Sequence, residues 1–279
     1  EMTTKIAVIG ATGYTALELL KILSRHPDAE VIIATSRQED KLTLQDVHPS
    51  LTNSLNLPLT RMDVETIVSK ADFAFSCLPH AASANTVRVL MSGGIKVVDF
   101  SADYRLNDVN IYEKWYGVEH PDGDRLGRVP YGLAELYRDE IRQANLVANP
   151  GCYPTSAILA LAPLLREKLI SSNDIIVNSV SGVSGAGRNT NPAFQYCEAT
   201  ENVKAYGVGT HRHAPEISQY CTLAAGESCE VLFTPHLVPM QRGIFTTCYV
   251  RGCEGVAVNE AMSALRNAYC DEPFVRVIN

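Results

Sequence analysis

The chain has 279 residues, of which 46% are hydrophobic and 20% are charged, and its formal net charge is -7. This length and composition predict two globular domains, or one large one, with ample apolar material for a core. The acidic balance argues against nucleic acid as a partner, and the longest apolar stretch, 157–165, contains Pro163 and is too short to cross a membrane.

Strands and helices alternate in the first half of the chain. Apolar runs predict strands at 5–10, 30–35, 71–76, 96–100 and 145–149, and amphipathic patterns predict helices at 14–26 and about 81–91. This alternation indicates an α/β domain over residues 1–148, with a Rossmann-type, doubly wound parallel sheet. An irregular stretch at 104–131, rich in tyrosine, is either a lid or a surface segment that packs against the domain.

The second half has a different pattern. Strands are predicted at 175–180, 230–233 and 243–251, and helices at 154–169, 215–224 and 259–269, the last with Asn259 as its N-cap. Strands follow one another without an obligatory crossover helix. We therefore expect an α+β catalytic and dimerisation domain over residues 149–279, with a mixed or antiparallel sheet.

The residues ahead of the first predicted strand do not have the pattern of a secretory leader, so we expect a cytoplasmic protein or the mature form of an organellar one. Its eight cysteines include no Cys-x-x-Cys pair. In such a chain the thiols are expected to be reduced, and most of them to act as small core hydrophobes.

A glycine-rich turn, GATGYTA, joins the first strand to the first helix and spaces Gly10, Gly13 and Ala16 three apart. Glycine lets the backbone approach a pyrophosphate closely, and the helix N-terminus offers it N–H groups. The second strand ends in Ser36 and Arg37, where an NAD site usually has an acidic residue, so NADP is the expected cofactor. Glu39 and Asp40 weigh against this choice, and a solvated arginine is the alternative.

A single cysteine follows the fifth predicted strand in NPGCYPT, residues 149–155. The Pro-Gly pair predicts a sharp turn, and Pro154 suits the first turn of a helix, so Cys152 is expected at a helix N-terminus on the carboxyl edge of the parallel sheet. A helix N-terminus lowers the pKa of a thiol, and its N–H groups stabilise an oxyanion. Cys152 is therefore predicted to be a nucleophile that attacks a carbonyl group.

The segment GTHRHAPE, 209–216, supplies proton-transfer partners for that thiol. His211 and His213 would face the same side of an extended segment, with Glu216 following at a helix start. One histidine is expected to be the acid–base group and the other a substrate contact, and the sequence leaves their order open. A metal site built from this pair and Glu216 is an alternative that lacks a third adjacent histidine.

A second glycine-rich loop, SGVSGAGR, spans residues 181–188 after a predicted strand. Its small residues permit close approach of a flat group such as nicotinamide, and Arg188 is a candidate anion contact. The alternative is a flexible hairpin.

Taken in order, the glycine turn, PGCYPT, SGVSGAGR and HRHAPE resemble the N-acetyl-gamma-glutamyl-phosphate reductases, which belong to the wider aspartate-semialdehyde dehydrogenase group. The resemblance extends over essentially the whole chain, through LPHAAS (78–83), DFSADYRL (99–106), VPYGLAEL (129–136) and FTPHLVPMQRGI (233–244). It implies an NADP-dependent enzyme of arginine biosynthesis that acts on a small acyl phosphate and forms a homo-oligomer, a dimer or a tetramer.

The resemblance also implies a mechanism, in which Cys152 attacks the acyl phosphate, phosphate leaves, and the thioester is reduced by NADPH to N-acetylglutamate 5-semialdehyde. His211 is the preferred acid–base group, with His213 as the alternative. Expected substrate contacts are Ser101, Arg105, Asn149, Arg188 and Glu216. No metal is expected, and expected cofactor contacts are Gly10, Thr12, Gly13, Tyr14, Thr15, Ser36, Arg37, Ser76, Leu78, Pro79, Ser184, Gly185, Ala186 and Gly187.

Two departures from the family pattern stand out. Ala16 replaces a common glycine and still allows close helix packing. The chain ends at FVRVIN, where the resemblance implies a further strand and a final helix that contacts the cofactor, so this C-terminal segment is expected to be missing.

Two other functions remain open at this point. Within the group, the alternative is a semialdehyde dehydrogenase that acts on aspartyl phosphate or on a carrier-bound aminoadipyl phosphate. From a different class, the alternative is a redox-silent NADP-binding regulator, against which Cys152 and the two histidines argue, because a sensor needs no nucleophile.

Overall fold

A computed structural model describes residues 3–37, 42–188 and 191–278 of the protein. The chain forms two compact units that divide between Pro150 and Gly151, next to the domain boundary expected at residue 148. Glu39 and Asp40 lie outside the described residues.

The helices and strands have the following bounds. The α-helices are α1 Tyr14–Leu23, α2 Leu44–Val47, α3 Val64–Lys70, α4 Ala84–Ser92, α5 Val109–Tyr116, α6 Ala134–Gln143, α7 Cys152–Arg166, α8 Tyr196–Ala199, α9 His213–Ala225 and α10 Val258–Tyr269. The strands are β1 Thr4–Ile9, β2 Ala29–Thr35, β3 Leu59–Thr60, β4 Phe73–Ser76, β5 Lys96–Asp99, β6 Leu146–Ala148, β7 Ile175–Ser181, β8 Lys204–Ala205, β9 Val231–Leu237 and β10 Ile244–Tyr249. Within the described part of the chain, no helix has the length and apolar character needed to cross a bilayer.

The sheet of the first unit has six parallel strands in the order β3-β2-β1-β4-β5-β6. Successive residues of β1 enter different cores: Ile6 and Val8 pack with α1, whereas Ala7 and Ile9 pack with α3 and α4. Because side chains alternate across a strand, helices cover both faces of this sheet. The predicted Rossmann-type, doubly wound architecture is confirmed, and its strand order reverses between β1 and β4, where such folds bind ligands.

The second unit contains a four-stranded sheet in the order β10-β7-β9-β8. Its central strands β7 and β9 are parallel, whereas β10 and β8 pair antiparallel with them. Alternate side chains of the central strands, such as Val177 and Phe233, share a core with Leu161 of α7 and Ile217 of α9. The predicted α+β domain is therefore confirmed, with a mixed sheet.

Two predicted helix starts are wrong in the same way. Cys152 begins α7 and His213 begins α9, two residues ahead of Pro154 and Pro215 respectively. Each proline occupies the third helical position, where a missing N–H costs nothing because the first turn has no intrahelical acceptor for it. One consequence is that His213 lies in a helix rather than in the extended segment predicted for it.

The start of α10 also differs from the prediction. Its N-cap is Ala257, in an extended conformation with φ -88° and ψ 152°, and no side chain caps the helix. Asn259, the predicted cap, lies inside the first turn.

The tyrosine-rich stretch 104–131 packs into the first unit rather than standing away from it as a lid. The exposed fractions of Tyr104 and Tyr112 are 1% and 0%. Tyr112 also stacks on Tyr116 of α5 with ring centroids 4.7 Å apart. Burial of these rings fixes the stretch against the core formed by α4 and β5.

A buried carboxylate, Asp103, satisfies the N-terminus of α4. It accepts the N–H groups of Ala81 at 2.7 Å, Ser83 at 3.1 Å and Ala84 at 2.9 Å, together with the hydroxyl of Tyr112 at 2.9 Å. Ser83 is the N-cap residue, yet its own side chain makes no cap hydrogen bond. The helix therefore begins on a carboxylate supplied by a loop about twenty residues further along the chain.

None of the eight cysteines forms a disulfide bond. Cys221 and Cys229 are buried, whereas Cys152, Cys197, Cys253 and Cys270 are exposed. The prediction that most of them are core hydrophobes is therefore wrong.

Candidate active site

The thiol of Cys152 lies at the N-terminus of α7 and is exposed. Gly151, with φ -68° and ψ 154°, is the N-cap, and neither a capping side chain nor an acidic residue occupies this first turn. The positive end of the helix dipole acts on the sulfur and favours the thiolate. The remainder of α7 anchors the site, because Tyr153, Ala157 and Leu161 are buried in the core.

A buried carboxylate on α9 holds the turn that carries the thiol. Oε1 of Glu216 accepts the N–H of Gly151 at 2.8 Å, and the exposed fraction of Glu216 is 1%. This places the carboxylate inside the protein, where it links α9 to the start of α7. Glu216 was predicted from the sequence to contact substrate; in the structure it is buried and its Oε1 binds the Gly151 N–H.

The two histidines lie together at the start of α9. Their ring centroids are 4.8 Å apart, and the ring of Tyr153 meets His211 at 5.5 Å and His213 at 5.8 Å, edge to face in each case. Both histidines therefore pack on the residue that follows the thiol. The three residues predicted to be catalytic, Cys152, His211 and His213, all lie in the second unit, and Tyr153 connects the histidine pair to the start of α7.

His211 is held in one protonation state. Its Nδ1 accepts the backbone N–H of His213 at 3.1 Å, so the proton of the neutral ring is on Nε2. Burial among aromatic rings, and then the nearby charge of Arg212, lower the pKa of His211 to about 4. A ring with one nitrogen already accepting and the other already protonated is a poor proton acceptor. This geometry argues against the sequence-based preference for His211 as the acid–base group.

Tyr206 joins this cluster and was not found from the sequence. Its hydroxyl lies 2.8 Å from that of Tyr153, and its ring meets His211 at 5.4 Å. Burial raises the pKa of both phenols, and the charge of nearby Cys152 raises it further, so both remain protonated. Gly207 permits this packing, since its φ is +57° and a Cβ there would lie 3.3 Å from His211. The sequence signal that could have indicated this contact is Tyr206 followed by Gly207, just ahead of HRH.

The second glycine-rich loop follows β7 as predicted and forms a short 3₁₀ turn over Val183–Ala186. Its backbone pairs with the segment before β10, since Val183 N–H donates to Met240 at 2.9 Å and Ser184 N–H to Gln241 at 3.2 Å. The predicted contacts lie on this turn or directly after it, namely Ser184, Gly185, Ala186, Gly187 and Arg188. Arg188, Gly185 and Gly187 are exposed.

The glycine turn of the first unit has the features that a pyrophosphate requires. Gly10 has φ +76°, and a Cβ there would lie 3.1 Å from the carbonyl oxygen of Cys77 and from the Leu78 side chain. Gly13 is the N-cap of α1, makes no side-chain cap bond, and has open space where its Cβ would be. Since Gly13 adds no side chain at the start of α1, the helix N-terminus and the glycine turn before it fit a dinucleotide.

The other predicted cofactor contacts of the first unit are partly accessible. Thr12, Tyr14 and Thr15 surround the start of α1, Leu78 is half-buried, and Pro79 and Arg37 are exposed. Ser36 is buried and donates its N–H to Thr60 at 2.8 Å. Ser76 is fully buried, and its Oγ lies 2.7 Å from that of Ser83, so its hydroxyl is engaged inside the protein.

Three predicted substrate contacts are also engaged within the first unit. Ser101 is buried and donates to Asp99 at 2.6 Å, where burial raises the pKa of the Asp99 carboxyl to about 6. Arg105 is buried and donates to the carbonyls of Asn149 at 2.7 Å and Phe100 at 2.9 Å. The side chain of Asn149 donates to the next carbonyl at 3.2 Å. These bonds give Ser101 and Arg105 a role in holding their own loop.

Metal-binding chemistry was the alternative for the histidine pair. Across the described ranges, no group of three or more His, Cys, Asp or Glu side chains is arranged to hold a metal ion.

Comparison with known proteins connects both units to one family. Residues 5–144 match the family described as "Semialdehyde dehydrogenase, NAD binding domain", and residues 152–279 match "Semialdehyde dehydrogenase, dimerisation domain". A curated relative from Rhodopirellula baltica, named N-acetyl-gamma-glutamyl-phosphate reductase, is 50% identical over 280 residues, 99% of this chain and 81% of the relative. Another from Alkaliphilus metalliredigens, with the same name, is 44% identical over 274 residues, 98% of this chain and 79% of the relative.

Solved structures agree on the fold. Aspartate semialdehyde dehydrogenase II from Vibrio cholerae, complexed with ASA, gives a TM-score of 0.69 at 18% identity, covering 96% of this chain and 80% of that one. Aspartate semialdehyde dehydrogenase with NADP from Candida albicans gives a TM-score of 0.69 at 15% identity, covering 95% and 76%. At these identities the likeness establishes the architecture.

Proposed function

Since this chain belongs to the semialdehyde dehydrogenase family, and within it to the N-acetyl-gamma-glutamyl-phosphate reductases, we propose that it reduces N-acetyl-gamma-glutamyl phosphate with NADPH. The products are N-acetylglutamate 5-semialdehyde, phosphate and NADP⁺, and the step belongs to arginine biosynthesis. The observation that carries the proposal is the exposed thiol of Cys152 at the start of α7, beside a histidine pair.

The first half of the reaction is acyl transfer to Cys152. Its thiolate forms a bond to the acyl carbon, the C–O bond to phosphate breaks, and a thioester remains on the sulfur. Donors at the start of α7 stabilise the oxyanion that precedes this cleavage. Glu216 keeps those donors in place, because it accepts the Gly151 N–H at 2.8 Å and so fixes the turn.

The second half is reduction of that thioester. When bound, NADPH supplies the hydride, and the resulting alkoxide collapses to the aldehyde and restores the thiolate of Cys152. The glycine turn at Gly10 and Gly13 would hold the pyrophosphate of the cofactor, and Arg37, exposed after β2, would pair with the 2′-phosphate that distinguishes NADP from NAD. Arg188 is retained as a contact for an anionic group of the substrate, because it is exposed next to the 3₁₀ turn after β7.

We assign the proton transfer to His213. His213 takes the thiol proton and returns it to the phosphate that leaves, whereas His211 stays neutral and donates from Nε2. The reason is the low pKa of His211, about 4, which results first from its burial. A group with this pKa remains unprotonated across the pH range in which such an enzyme is assayed.

The histidine assignment predicts different effects for two matched substitutions. His213→Gln is expected to lower kcat by about 10²–10⁴ and to remove one ionisation from the pH profile of kcat/KM. His211→Gln is expected to lower kcat less and to leave that ionisation in place, because the native ring does not titrate there. Steady-state kinetics from pH 5.5 to 9 would measure both. If His211→Gln removes the ionisation instead, the two roles are reversed.

The reaction itself is tested in the reverse direction. Phosphate-dependent reduction of NADP⁺ by N-acetylglutamate 5-semialdehyde is expected to exceed that by aspartate semialdehyde, and NADP⁺ is expected to exceed NAD⁺. Preference for aspartate semialdehyde would favour the related dehydrogenase. Binding of NADP⁺ without turnover of either aldehyde would favour the redox-silent regulator.

The second sheet offers a surface for self-association. Its face away from α7 and α9 carries Ile176, Leu232, Phe245 and Tyr249, with exposed fractions of 37%, 56%, 68% and 55%. Tyr249 pairs with Ile176 and Ile176 with Leu232, so three of these side chains form one row across the strands. An apolar row of this kind, in a domain whose family is described by dimerisation, supports a homo-oligomer in which a second copy covers this face.

Charge placed on this face is expected to weaken the association. Phe245→Glu would bury a carboxylate in an apolar interface, so the dimer dissociation constant should rise by about tenfold or more in sedimentation equilibrium. Leu223→Glu is the matched control, because Leu223 is 55% exposed on α9 and lies away from this face. An unchanged oligomer in Phe245→Glu would assign the interface to another surface.

A further inference from the structure

A buried histidine in the first unit touches the glycine turn. His48 follows α2, its exposed fraction is 2%, and its Nε2 lies 2.8 Å from the carbonyl oxygen of Ala11. Ala11, which lies between Gly10 and Thr12 in the glycine turn, is also fully buried. A carbonyl oxygen accepts only, so Nε2 of His48 carries the hydrogen in this contact.

The contact fixes the direction of a neighbouring N–H group. The carbonyl of Ala11 and the N–H of Thr12 belong to one planar trans peptide and point in opposite directions. When His48 holds the carbonyl of Ala11, it therefore also fixes the direction of the Thr12 N–H. On its other side Ala11 is tied to Thr35, whose carbonyl accepts the Ala11 N–H at 2.8 Å and whose Oγ1 accepts the Gly10 N–H at 3.2 Å.

The segment that carries His48 is itself well anchored. Thr43 and Asp46 form a reciprocal capping box at the start of α2. The His48 N–H donates to the carbonyl of Leu44 at 2.8 Å, and both Leu44 and Leu51 are buried in the core under α1. His48 is therefore a fixed donor rather than a mobile side chain.

We propose that His48 is a positioning residue for the cofactor: it orients the Ala11–Thr12 peptide so that the turn donates to the pyrophosphate. This inference rests on the proposed use of that turn to bind NADPH. The inference concerns cofactor binding alone, because His48 is buried and contacts the backbone of the turn.

Two substitutions at position 48 separate the donor from the bulk of the ring. His48→Phe keeps the volume and removes the donor, whereas His48→Gln keeps an N–H near the position of Nε2. We expect the dissociation constant of NADPH, measured by fluorescence titration, to rise about tenfold in His48→Phe and much less in His48→Gln. The KM for NADP⁺ should rise in parallel while kcat changes little.

A structural control completes the experiment. Leu51→Ala loosens the same segment without removing the His48 donor, and urea unfolding measures the stability of each variant. If wild type and His48→Phe bind NADPH equally well, the inference is overturned. It is also overturned if Leu51→Ala, at the same stability as His48→Phe, loses as much NADPH affinity as that variant does. If His48→Phe does not fold, His48→Asn, whose amide is too short to reach Ala11, takes its place with the same expected loss. If the wild-type protein itself does not bind NADPH, the proposed function fails, and not this inference alone.

Discussion

Replacing Cys152 with serine is expected to abolish turnover and to leave cofactor binding intact. An alcohol at this position stays protonated where a thiol ionises, so the acyl phosphate meets no competent nucleophile. We expect kcat to fall by about 10⁴ or more. The dissociation constant of NADPH should remain within about twofold, because the cofactor turn belongs to the first unit.

The matched control is Cys253→Ser, which alters another exposed thiol of the second unit and should leave kcat unchanged. Alkylation with iodoacetamide offers a second measurement, since blocking Cys152 should inactivate the wild-type enzyme and protection by substrate should slow the loss. Retained turnover in Cys152→Ser would remove the thioester mechanism. Loss of NADPH binding in that variant would make Cys152 a structural residue.

Replacing Asp103 with alanine is expected to cause a large loss of stability in the first unit. Four donors, from Ala81, Ser83, Ala84 and Tyr112, end on this carboxylate, and the last three come from buried residues. Removing the shared acceptor leaves them unsatisfied in the core, which is expected to cost about 3–5 kcal/mol of unfolding free energy. Urea denaturation followed by circular dichroism would measure this change.

Two further variants serve as controls for Asp103→Ala. Asp103→Asn retains one acceptor oxygen and should lose less stability than Asp103→Ala. Asp139→Ala removes an 86% exposed carboxylate on α6 and should change stability by less than about 0.5 kcal/mol. If Asp103→Ala is no less stable than Asp139→Ala, water satisfies the four donors and the carboxylate does not anchor α4.

Much of the fold was predictable because local periodicity decides it. β1, β4 and β5 are short buried runs, and α1 has an apolar stripe, so the alternation of the first unit is visible in the sequence. The thiol at the start of α7 was predictable for the same reason, since a strand, a Pro-Gly pair and an apolar helix frame it.

The contacts that complete the site depend on residues far apart in the chain. Glu216 reaches Gly151 across 65 positions, and Tyr206 reaches Tyr153 across 53. Periodicity carries no information about such partners. The state of His211 depends on its aromatic surroundings, which form only when α7, β9 and the start of α9 have packed together. Its lowered pKa could not be predicted from the letters HRH.

The carboxylate beneath α4 also affects which anions the first unit accepts. Helices α1 and α4 both begin after neighbouring central strands, β1 and β4, and a helix start in that position attracts phosphate. At α4 a carboxylate of the chain itself already accepts the N–H groups at the helix start, and because it is attached to the chain it cannot diffuse away as a dissolved anion does. Asp103 therefore acts as a permanent intramolecular ligand that keeps dissolved anions away from the start of α4.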